Sequence, residues 1–275
     1  MALQRDDSGR LHIESSLMGE SLMDKSLLAG TEARPVYRLI PDLIVVKVGG
    51  QSIIDRGRVA LLPILDELVA ARQSHKIIIT TGGGTRARHA YAIAMDLGMP
   101  TGILARLGSS ISEQNALMLA VLLSPYGGIK IGHDDLPKLA QYLTLGCLPV
   151  VHAMPPYGLF ERPPALGRIP PHRTDAGAFL LAEVLGARRC ILIKDEQGLY
   201  TADPKKDPTA QFIPELEVNE LLAQDLDDLA VERSMLEILR DARSVHEVVI
   251  VNGLEQGNIT RAIAGERVGT RIYKG

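Results

Sequence analysis

From Asp42 onward, short runs of apolar residues alternate with longer segments whose apolar positions recur at helical spacing. The runs are rich in β-branched residues and predict strands, whereas the periodic segments predict helices. The predicted strands are 43–48, 77–80, 148–151, 190–194 and 247–252. The predicted helices are 56–73, 85–97, 109–123, 175–186, 232–243 and 259–264.

This alternation predicts the fold class. Strands that are apolar along their whole length, with helices between them, are typical of a sheet whose two faces are both covered. We therefore expect an α/β fold with an open, mainly parallel sheet covered by helices on both faces. Two segments interrupt the alternation: 153–173, which is rich in proline and glycine, and 201–216. The first is expected to form a seam between two lobes, because ligands of open α/β sheets bind beyond the carboxyl ends of the strands.

Residues 1–35 follow a different pattern, which we interpret as an N-terminal arm. Leu17, Leu22 and Leu27 recur at five-residue steps, a spacing that fits neither a helix nor a strand. The arm is either a disordered tail or a segment that docks on a neighbouring subunit, and the sequence leaves both open. Residues 36–275 are expected to form a single domain.

Composition and charge mainly exclude classes of protein. The chain has 275 residues, of which 46% are hydrophobic and 23% are charged, as in ordinary globular proteins. A formal net charge of -3 gives no electrostatic basis for binding nucleic acid or an anionic membrane surface. No apolar stretch approaches the length of a membrane span, and charged residues interrupt the first thirty residues, so that no apolar core of a signal peptide is left there. Cys147 and Cys190 are too far apart for a CxxC metal site, and we expect a cytoplasmic protein.

Two predicted strands end in glycine clusters, and a predicted helix follows each cluster. Glycine lacks the Cβ that would block close approach, so the backbone N–H groups of such turns can hold a phosphate-like anion. The same glycines can serve simply to turn the chain, and either cluster alone leaves both interpretations open. Neither a P-loop nor a Gly-x-Gly-x-x-Gly fingerprint is present. The candidate anion-binding glycines are Gly49, Gly50, Gly82, Gly83 and Gly84.

Charged residues accompany these turns. Lys47, at the end of the first strand, would point at an anion held by the first glycine turn. Thr174 and Asp175 begin the helix 175–186, and Lys194 ends the strand that follows it. Thr174 or Asp175 can cap the helix, or the Asp175 carboxylate can hold a lysine or Mg²⁺ near phosphate groups.

In this order, the motifs resemble those of the amino-acid-kinase superfamily, in which bacterial uridylate kinases are the nearest catalytic relatives. The resemblance covers residues 42–273 and implies an open sheet with two lobes. It rests on Lys47-Val48-Gly49-Gly50, Gly82-Gly83-Gly84, Thr174-Asp175-x-x-Ala178, the segment 198–204 and Gly269-Thr270.

The resemblance also implies roles for individual residues. The cavity or acceptor lobe would be 36–170 and the ATP-binding lobe 171–275. Lys47 and Lys194 would neutralise the transferred phosphate, and Asp175 would orient both lysines. Mg²⁺ would accompany the ATP. The other residues implied at the nucleotide site are Thr174, Tyr200, Asp203 and Pro204.

Departures from the kinase pattern bear on the activity. Uridylate kinases commonly carry an asparagine and an Arg-Gly pair after the glycine cluster, where this chain has Thr85-Arg86-Ala87-Arg88-His89. Gln197 stands where an acidic residue usually precedes the Gly-x-Tyr element. The phrases at 49–58, 85–89, 154–157, 169–177 and 251–254 instead resemble molybdenum storage protein subunits, and the β-type chain more than the α-type.

That family is similar in fold to uridylate kinases but uses ATP to load molybdate or tungstate as polynuclear oxide clusters inside a hexameric cage. The partner in the cage would be a homologous α-type subunit or a second copy of this chain. Arg86 and the glycine turns suit molybdate as well as phosphate, because both are tetrahedral oxyanions. A uridylate-type kinase, and a structural subunit that binds nucleotide only to stiffen an assembly, are the alternatives.

Three of the seven histidines are candidate contacts of such a cluster. The resemblance places the cavity in the loop-rich middle of the chain, and imidazole nitrogen can bind or hydrogen-bond an oxometalate. The candidates are His133, His152 and His172. Lone histidines are more often surface or hydrogen-bonded residues, which is the interpretation for His12, His75 and His246. The arginines of the same segment either face the cavity or lie in a solvated loop; they are Arg162, Arg168 and Arg173.

Overall fold

The computed structural model describes residues 4, 5, 7, 9, 11, 12, 21–32, 34–226 and 229–275. The chain divides into two compact units, Met1–Tyr37 and Arg38–Gly275. In the first unit, strands β1 (Gln4–Arg5) and β2 (Leu11–His12) pair antiparallel, and helix α1 spans Lys25–Glu32.

Helix α1 corrects one expectation about the arm. The leucine spacing predicted neither a helix nor a strand. That prediction was wrong for residues 25–32, which form a helix. Asp24 accepts the backbone N–H of Leu27 at 2.9 Å, a contact typical of a helix amino terminus and independent of apolar periodicity. None of the helix residues is buried, and Leu22 is exposed, whereas Leu17 lies outside the described residues.

In the described part of the second unit, eight strands form one sheet and two more form a separate antiparallel pair. The strands are β3 (Leu43–Val48), β4 (Lys76–Thr81), β5 (Gly128–Lys130), β6 (Leu148–His152), β7 (Arg189–Lys194), β8 (Leu199–Tyr200), β9 (Phe212–Ile213), β10 (Glu215–Glu217), β11 (Glu247–Asn252) and β12 (Thr270–Tyr273). The order across the main sheet is β10-β12-β11-β7-β3-β4-β6-β5, and all neighbours run parallel except β11 and β12. The prediction of an open, mainly parallel sheet is confirmed.

Helices cover both faces of this sheet, as predicted. They are α2 (Arg58–Ala71), α3 (Gly84–Asp96), α4 (Thr101–Leu123), α5 (Leu139–Thr144), α6 (Thr174–Leu185), α7 (Val218–Ala223), α8 (Arg233–Asp241) and α9 (Asn258–Ala264). Successive strand residues point to opposite faces. Val45 therefore packs in the core with Phe179 of α6, whereas Ile44 and Val46 pack in the core with α2, α4 and α9. Burying a side chain such as Phe179 stabilises the fold by about 1.5–3 kcal/mol.

Each predicted element is present within two residues of its predicted limits, except α4. This helix begins at Thr101 rather than at 109. Gly102 and Gly108 lower the helix propensity of its first turns, but tertiary contacts override that cost. A Cβ on Gly102 would lie 2.3 Å from the carbonyl oxygen of Leu159, and one on Gly108 would lie 2.0 Å from the hydroxyl of Tyr91. These glycines therefore allow α4 to pack closely against Leu159 and Tyr91. The pattern also missed the short elements β5, β8, β9, β10, β12, α5 and α7.

The parallel strands β3, β4, β6 and β7 end at the same edge of the sheet. Their carboxyl ends carry Gly49, Gly82, His152 and Lys194 respectively, or lead directly into them. The proline- and glycine-rich segment 153–173 follows β6 at this edge. Among the described residues, no helix has the length and apolar content needed to cross a bilayer.

Candidate functional site

Two lysines and one aspartate form a buried ionic cluster at the carboxyl edge of the sheet. Lys47, in β3, donates a hydrogen bond to Oδ1 of Asp175, in the first turn of α6. Lys194, at the end of β7, lies 3.2 Å from Oδ1 and 3.0 Å from Oδ2 of the same carboxylate. Lys47 and Asp175 are each only 4% exposed. The structure thus brings together the three residues predicted to be catalytic.

The electrostatics of this cluster favour an ionised Asp175. Burial alone would raise the pKa of Asp175, but the charges of Lys194 and Lys47 and their hydrogen bonds outweigh it and hold the pKa well below its ordinary range. Burial lowers the pKa of Lys194, and Asp175 partly offsets that effect. Asp175 is therefore a weak base that holds two ammonium groups at fixed positions.

Glu232, which immediately precedes α8, caps the helix that carries Asp175. Its carboxylate accepts the backbone N–H groups of Arg173, Asp175 and Ala176 at 3.0, 3.0 and 3.1 Å. Of the two roles that the sequence left open, capping of α6 by Thr174 or Asp175 is not observed, because no local side chain makes that contact. Sequence spacing missed Glu232, since it lies 57 residues from Asp175 in the chain.

The two glycine turns pack directly against each other. A Cβ on Gly50 would lie 2.2 Å from the backbone nitrogen of Gly84, and one on Gly82 would lie 2.7 Å from that of Gly50. Gly49 is equally crowded, with the carbonyl oxygen of Ile193 2.9 Å from its Cβ position. A Cβ on Gly83 would meet Ala87 of α3 at 2.6 Å. Gly50 and Gly82 are therefore needed for contact between the turns, whichever ligand they hold, and Gly49 and Gly83 for close contact with β7 and α3.

Arg86 is turned toward α4 in this structure. Its guanidinium donates to Oε1 of Gln114 at 3.0 Å and to Oδ1 of Asn115. The amide nitrogen of Asn115 in turn donates to the carbonyl oxygen of Gly82 at 2.6 Å. Asn115 is fully buried, and the sequence analysis missed it. A polar residue on the apolar stripe of a helix was the available signal.

A cavity of about 380 Å³ opens beside Lys194, between the β8–β9 region and α7. Tyr200, Asp203 and Pro204 line it together with apolar side chains such as Leu199. Burial raises the pKa of Tyr200, with a smaller contribution from the charge of Glu196. Three of the residues implied for the nucleotide site thus share one cavity next to the ionic cluster. Thr174 lies instead by the glycine turns, its hydroxyl 3.6 Å from the Cβ position of Gly82.

The described residues offer no resident magnesium site built from the protein alone. No group of three histidine, cysteine or acidic side chains is suitably placed among them. Asp175 directs its carboxylate to two lysines, and Asp195 accepts from Arg56 at 2.7 Å and lies 3.3 Å from Nζ of Lys205. A magnesium ion would therefore depend on ligand phosphates and water for most of its coordination, as is usual for this ion.

Two of the candidate histidines lie together. The rings of His133 and His152 are 4.2 Å apart, and Nε2 of His133 lies 3.3 Å from the carbonyl oxygen of His152. Burial, followed by the charge of His133, lowers the pKa of His152 to about 4, so its imidazole is neutral at neutral pH. Its Nδ1 is buried and has no hydrogen-bond partner among the described residues. An unpaired nitrogen of this kind is suited to a ligand.

His172 has different neighbours. Its Nδ1 lies 2.9 Å from Oε1 of the buried Glu161, and its ring packs edge-on against Tyr157. The arginines of this segment bind protein groups rather than lying free. Arg168 donates to carbonyl oxygens of α3 and the turn after it, Arg173 to that of Pro170, and Arg162 lies 4.0 Å from Glu237.

Comparison with known proteins places this chain in a family. The model of the amino acid kinase family matches residues 42–252. The chain belongs to the amino acid kinase family. Within the family, it is 51% identical to Molybdenum storage protein subunit beta of Azotobacter vinelandii over 260 residues, 94% of this chain and 96% of the relative.

Uridylate kinases are among the more distant relatives of this chain. The enzyme of Methanobrevibacter smithii is 28% identical over 235 residues, 83% of this chain and 98% of the relative. The crystal structure of uridylate kinase from Archaeoglobus fulgidus matches with a TM-score of 0.63 at 23% identity, covering 83% of this chain and 99% of that one. UMP kinase from Bacillus anthracis matches with a TM-score of 0.65 at 20% identity, covering 87% and 97%. These structural matches show the shared fold.

Proposed function

We propose that this chain is a β-type molybdenum storage protein subunit, which binds ATP and uses it to load molybdate or tungstate as polynuclear oxide clusters. The observation that carries the proposal is its 51% identity with Molybdenum storage protein subunit beta, over 94% of this chain. A match of this extent spans the segments of the chain that carry the ionic cluster and the histidines, and the contacts of those residues bear on ATP and on the cargo.

The ionic cluster supports the ATP part of the proposal. A terminal phosphate at the carboxyl ends of β3 and β7 would meet Lys47 and Lys194, which Asp175 already holds in place. Preorganised charge of this kind needs little rearrangement when negative charge shifts during transfer. Asp175 itself is too weak a base to take a proton, because both lysines favour its ionised form. Any transfer would therefore depend on positioning and charge neutralisation.

The cavity beside Lys194 is suited to the rest of the nucleotide. Tyr200 offers an aromatic face, and Pro204 and Leu199 offer apolar surface, whereas Asp203 adds a polar group. A mostly apolar cavity with few convergent polar groups is the usual form of such a site. Magnesium would enter with the phosphates, where its chemistry is to neutralise their charge.

The histidine pair supports the cargo part of the proposal. The unpaired Nδ1 of His152 can coordinate a metal or donate to an oxide oxygen, depending on its tautomer. Lys130 and Arg106 place positive charge near His152, and Glu113 pairs with Lys130. A neutral imidazole beside cationic side chains is suited to a polynuclear oxide, which spreads its charge over many oxygens. His172 would contribute through the nitrogen that Glu161 does not contact.

Exposed apolar residues support assembly into the hexameric cage that the resemblance implies. Leu117, Met118, Val121 and Leu122 form a stripe on the outer side of α4, and all four are exposed in the single chain. We propose that the stripe is covered by a homologous α-type subunit or by another copy of this chain. The arm of residues 1–35 would dock on a neighbour in the same assembly.

A uridylate-type kinase is the second candidate, and the Lys47–Asp175–Lys194 cluster favours it. Seven uridylate kinases are 26–30% identical to this chain. Thr85 and Gln197 argue against this activity, because they replace residues common in those enzymes. An assay with UMP and Mg-ATP separates the two candidates, since a kinase would form UDP at about 1–1000 per second.

The proposed storage function is tested by elemental analysis of protein from molybdate-fed cells. We expect the wild type to retain molybdenum, and replacement of His133, His152 and His172 by Ala to lower the amount per chain. The matched control replaces the exposed His89 and His246 by Ala and should leave the amount unchanged. Wild-type protein without bound molybdenum or tungsten would overturn the proposal. Unchanged metal in the triple variant would remove the histidines from it.

A further inference from the structure

The amino end of α3 is occupied by a carboxylate of the chain itself. Oδ2 of Asp55 accepts the backbone N–H of Thr85 at 2.5 Å. Gly84 has a φ of +71°, and a Cβ there would lie 2.6 and 2.7 Å from the two carboxylate oxygens of Asp55. The carboxylate therefore packs over the Cα of Gly84, where a helix amino end would otherwise be open to an external anion.

The first glycine turn places Asp55 at the amino end of α3. The backbone N–H of Ile54 donates to the carbonyl oxygen of Gly49 at 3.0 Å, and that of Asp55 donates to Gly50 at 2.9 Å. These bonds begin the short 3₁₀ helix Ile54–Arg56. Because Gly50 also packs against Gly84, the two turns and the carboxylate form one unit.

Arg86 is the cation nearest in sequence to the second glycine turn, but it does not contact that turn. Its guanidinium donates to Gln114 and Asn115 of α4. An anion at the second glycine turn would therefore contact the Asp55 carboxylate instead of an unpaired backbone N–H group. Arg86 would not offset the negative charge there. The turn adjoins the ionic cluster, because Gly82 lies against Thr174, the residue before Asp175.

We propose that Asp55 is a specificity-determining residue that excludes nucleoside monophosphates from this chain by occupying the amino end of α3. The proposal rests on the proposed function, in which ATP is used without a nucleotide acceptor. A phosphate monoester placed at this turn would face the Asp55 carboxylate at close range, and like charges disfavour that contact.

The test is calorimetric titration of the intact protein with UMP and, separately, with inorganic phosphate. Asp55→Asn keeps an oxygen that can cap α3 but removes the charge. We expect it to bind UMP at least about tenfold more tightly than the wild type, equivalent to about 1.4 kcal/mol. Asp55→Glu keeps the charge and should stay weak. Asp66→Asn, a charge change on the exposed side of α2, is the matched control and should not differ from wild type.

Equal affinity for UMP in wild type and Asp55→Asn would overturn the proposal, whether both bind or neither binds. If Asp55→Asn does not fold, as judged by circular dichroism, Asp55→Ser provides the same comparison with a side chain that also caps helices. A gain for phosphate without a gain for UMP would likewise contradict it, since the nucleotide would then be excluded by other groups. Failure of the storage function is distinguishable, because it appears as wild-type protein without metal, whatever the UMP titrations give.

Discussion

At the scale of single residues, the Asp175 carboxylate dominates the site. It is the counter-charge for both Lys47 and Lys194 in a place almost closed to water. Two cations at such a place are tolerated only while the carboxylate is present. Burial of these three charges costs stability, and their pairing with each other offsets that cost. The cluster in return holds positive charge at fixed positions.

Replacing Asp175 by Asn should therefore destabilise the protein by about 3–5 kcal/mol, because it leaves buried charges unpaired. Lys47→Met in the same chain should recover part of the loss, since one unpaired charge is removed. Urea unfolding of the two single variants and the double variant measures this coupling. Additive losses in the double variant would contradict the interdependence of the cluster.

His152 gives a pH-dependent prediction at the same scale. Burial and His133 lower its pKa to about 4 in the folded state, from 6.5 in an unfolded chain. Between these values the unfolded chain binds more protons, so stability rises with pH and is lost as pH falls from about 6.5 to 4. The loss attributable to His152 is on the order of 3 kcal/mol at most. Thermal melts of wild type and His152→Asn should show a flatter profile in the variant, and parallel profiles would contradict the prediction.

At the scale of elements, helix α6 positions Asp175 and depends on a cap from outside itself. Glu232 satisfies backbone N–H groups that would otherwise be unpaired at a nearly buried helix end. The negative charge also complements the helix dipole. A change at Glu232 should therefore reach the ionic cluster through the first turn of α6.

Glu232→Ala should destabilise the protein by about 1–3 kcal/mol, because it removes the acceptor and leaves the N–H groups unsatisfied. Glu232→Gln should retain more stability, since its amide oxygen can still accept. Hydrogen exchange at Asp175 and Ala176 should accelerate in the alanine variant before the rest of α6. Unchanged exchange at these amides would show that Glu232 is not the cap that holds the helix end.

The sequence predicted those elements whose burial produces a local pattern of apolar residues. Strand β3 is read from its continuous apolar run, because both its faces are buried. The sequence did not predict the start of α4, because Gly102 and Gly108 disfavour a helix. The neighbours that require their small size are visible only in the structure. At the site, motif order identified Lys47, Asp175 and Lys194. Glu232 and Asp55 were missed, because each acts on a helix distant in sequence.

At the scale of the whole molecule, the sheet order brings separate parts of the chain to one edge. Strand β3 lies between β4 and β7, so the turn after β3 touches both the second glycine turn and the end of β7. The histidine pair follows from the same arrangement, because His152 ends β6 beside β4. ATP at the lysines and cargo at the histidines would thus share one edge of one sheet. This arrangement predicts that cargo uptake is coupled to ATP.

The most direct test of this coupling is the molybdenum retained per chain by the native assembly after it has been stripped of metal and exposed to molybdate. We predict that Mg-ATP raises the retained molybdenum severalfold over molybdate alone. A non-hydrolysable ATP analogue, or Lys194→Met protein that folds normally, should not give this rise. Equal molybdenum with and without ATP in the wild type would contradict the account.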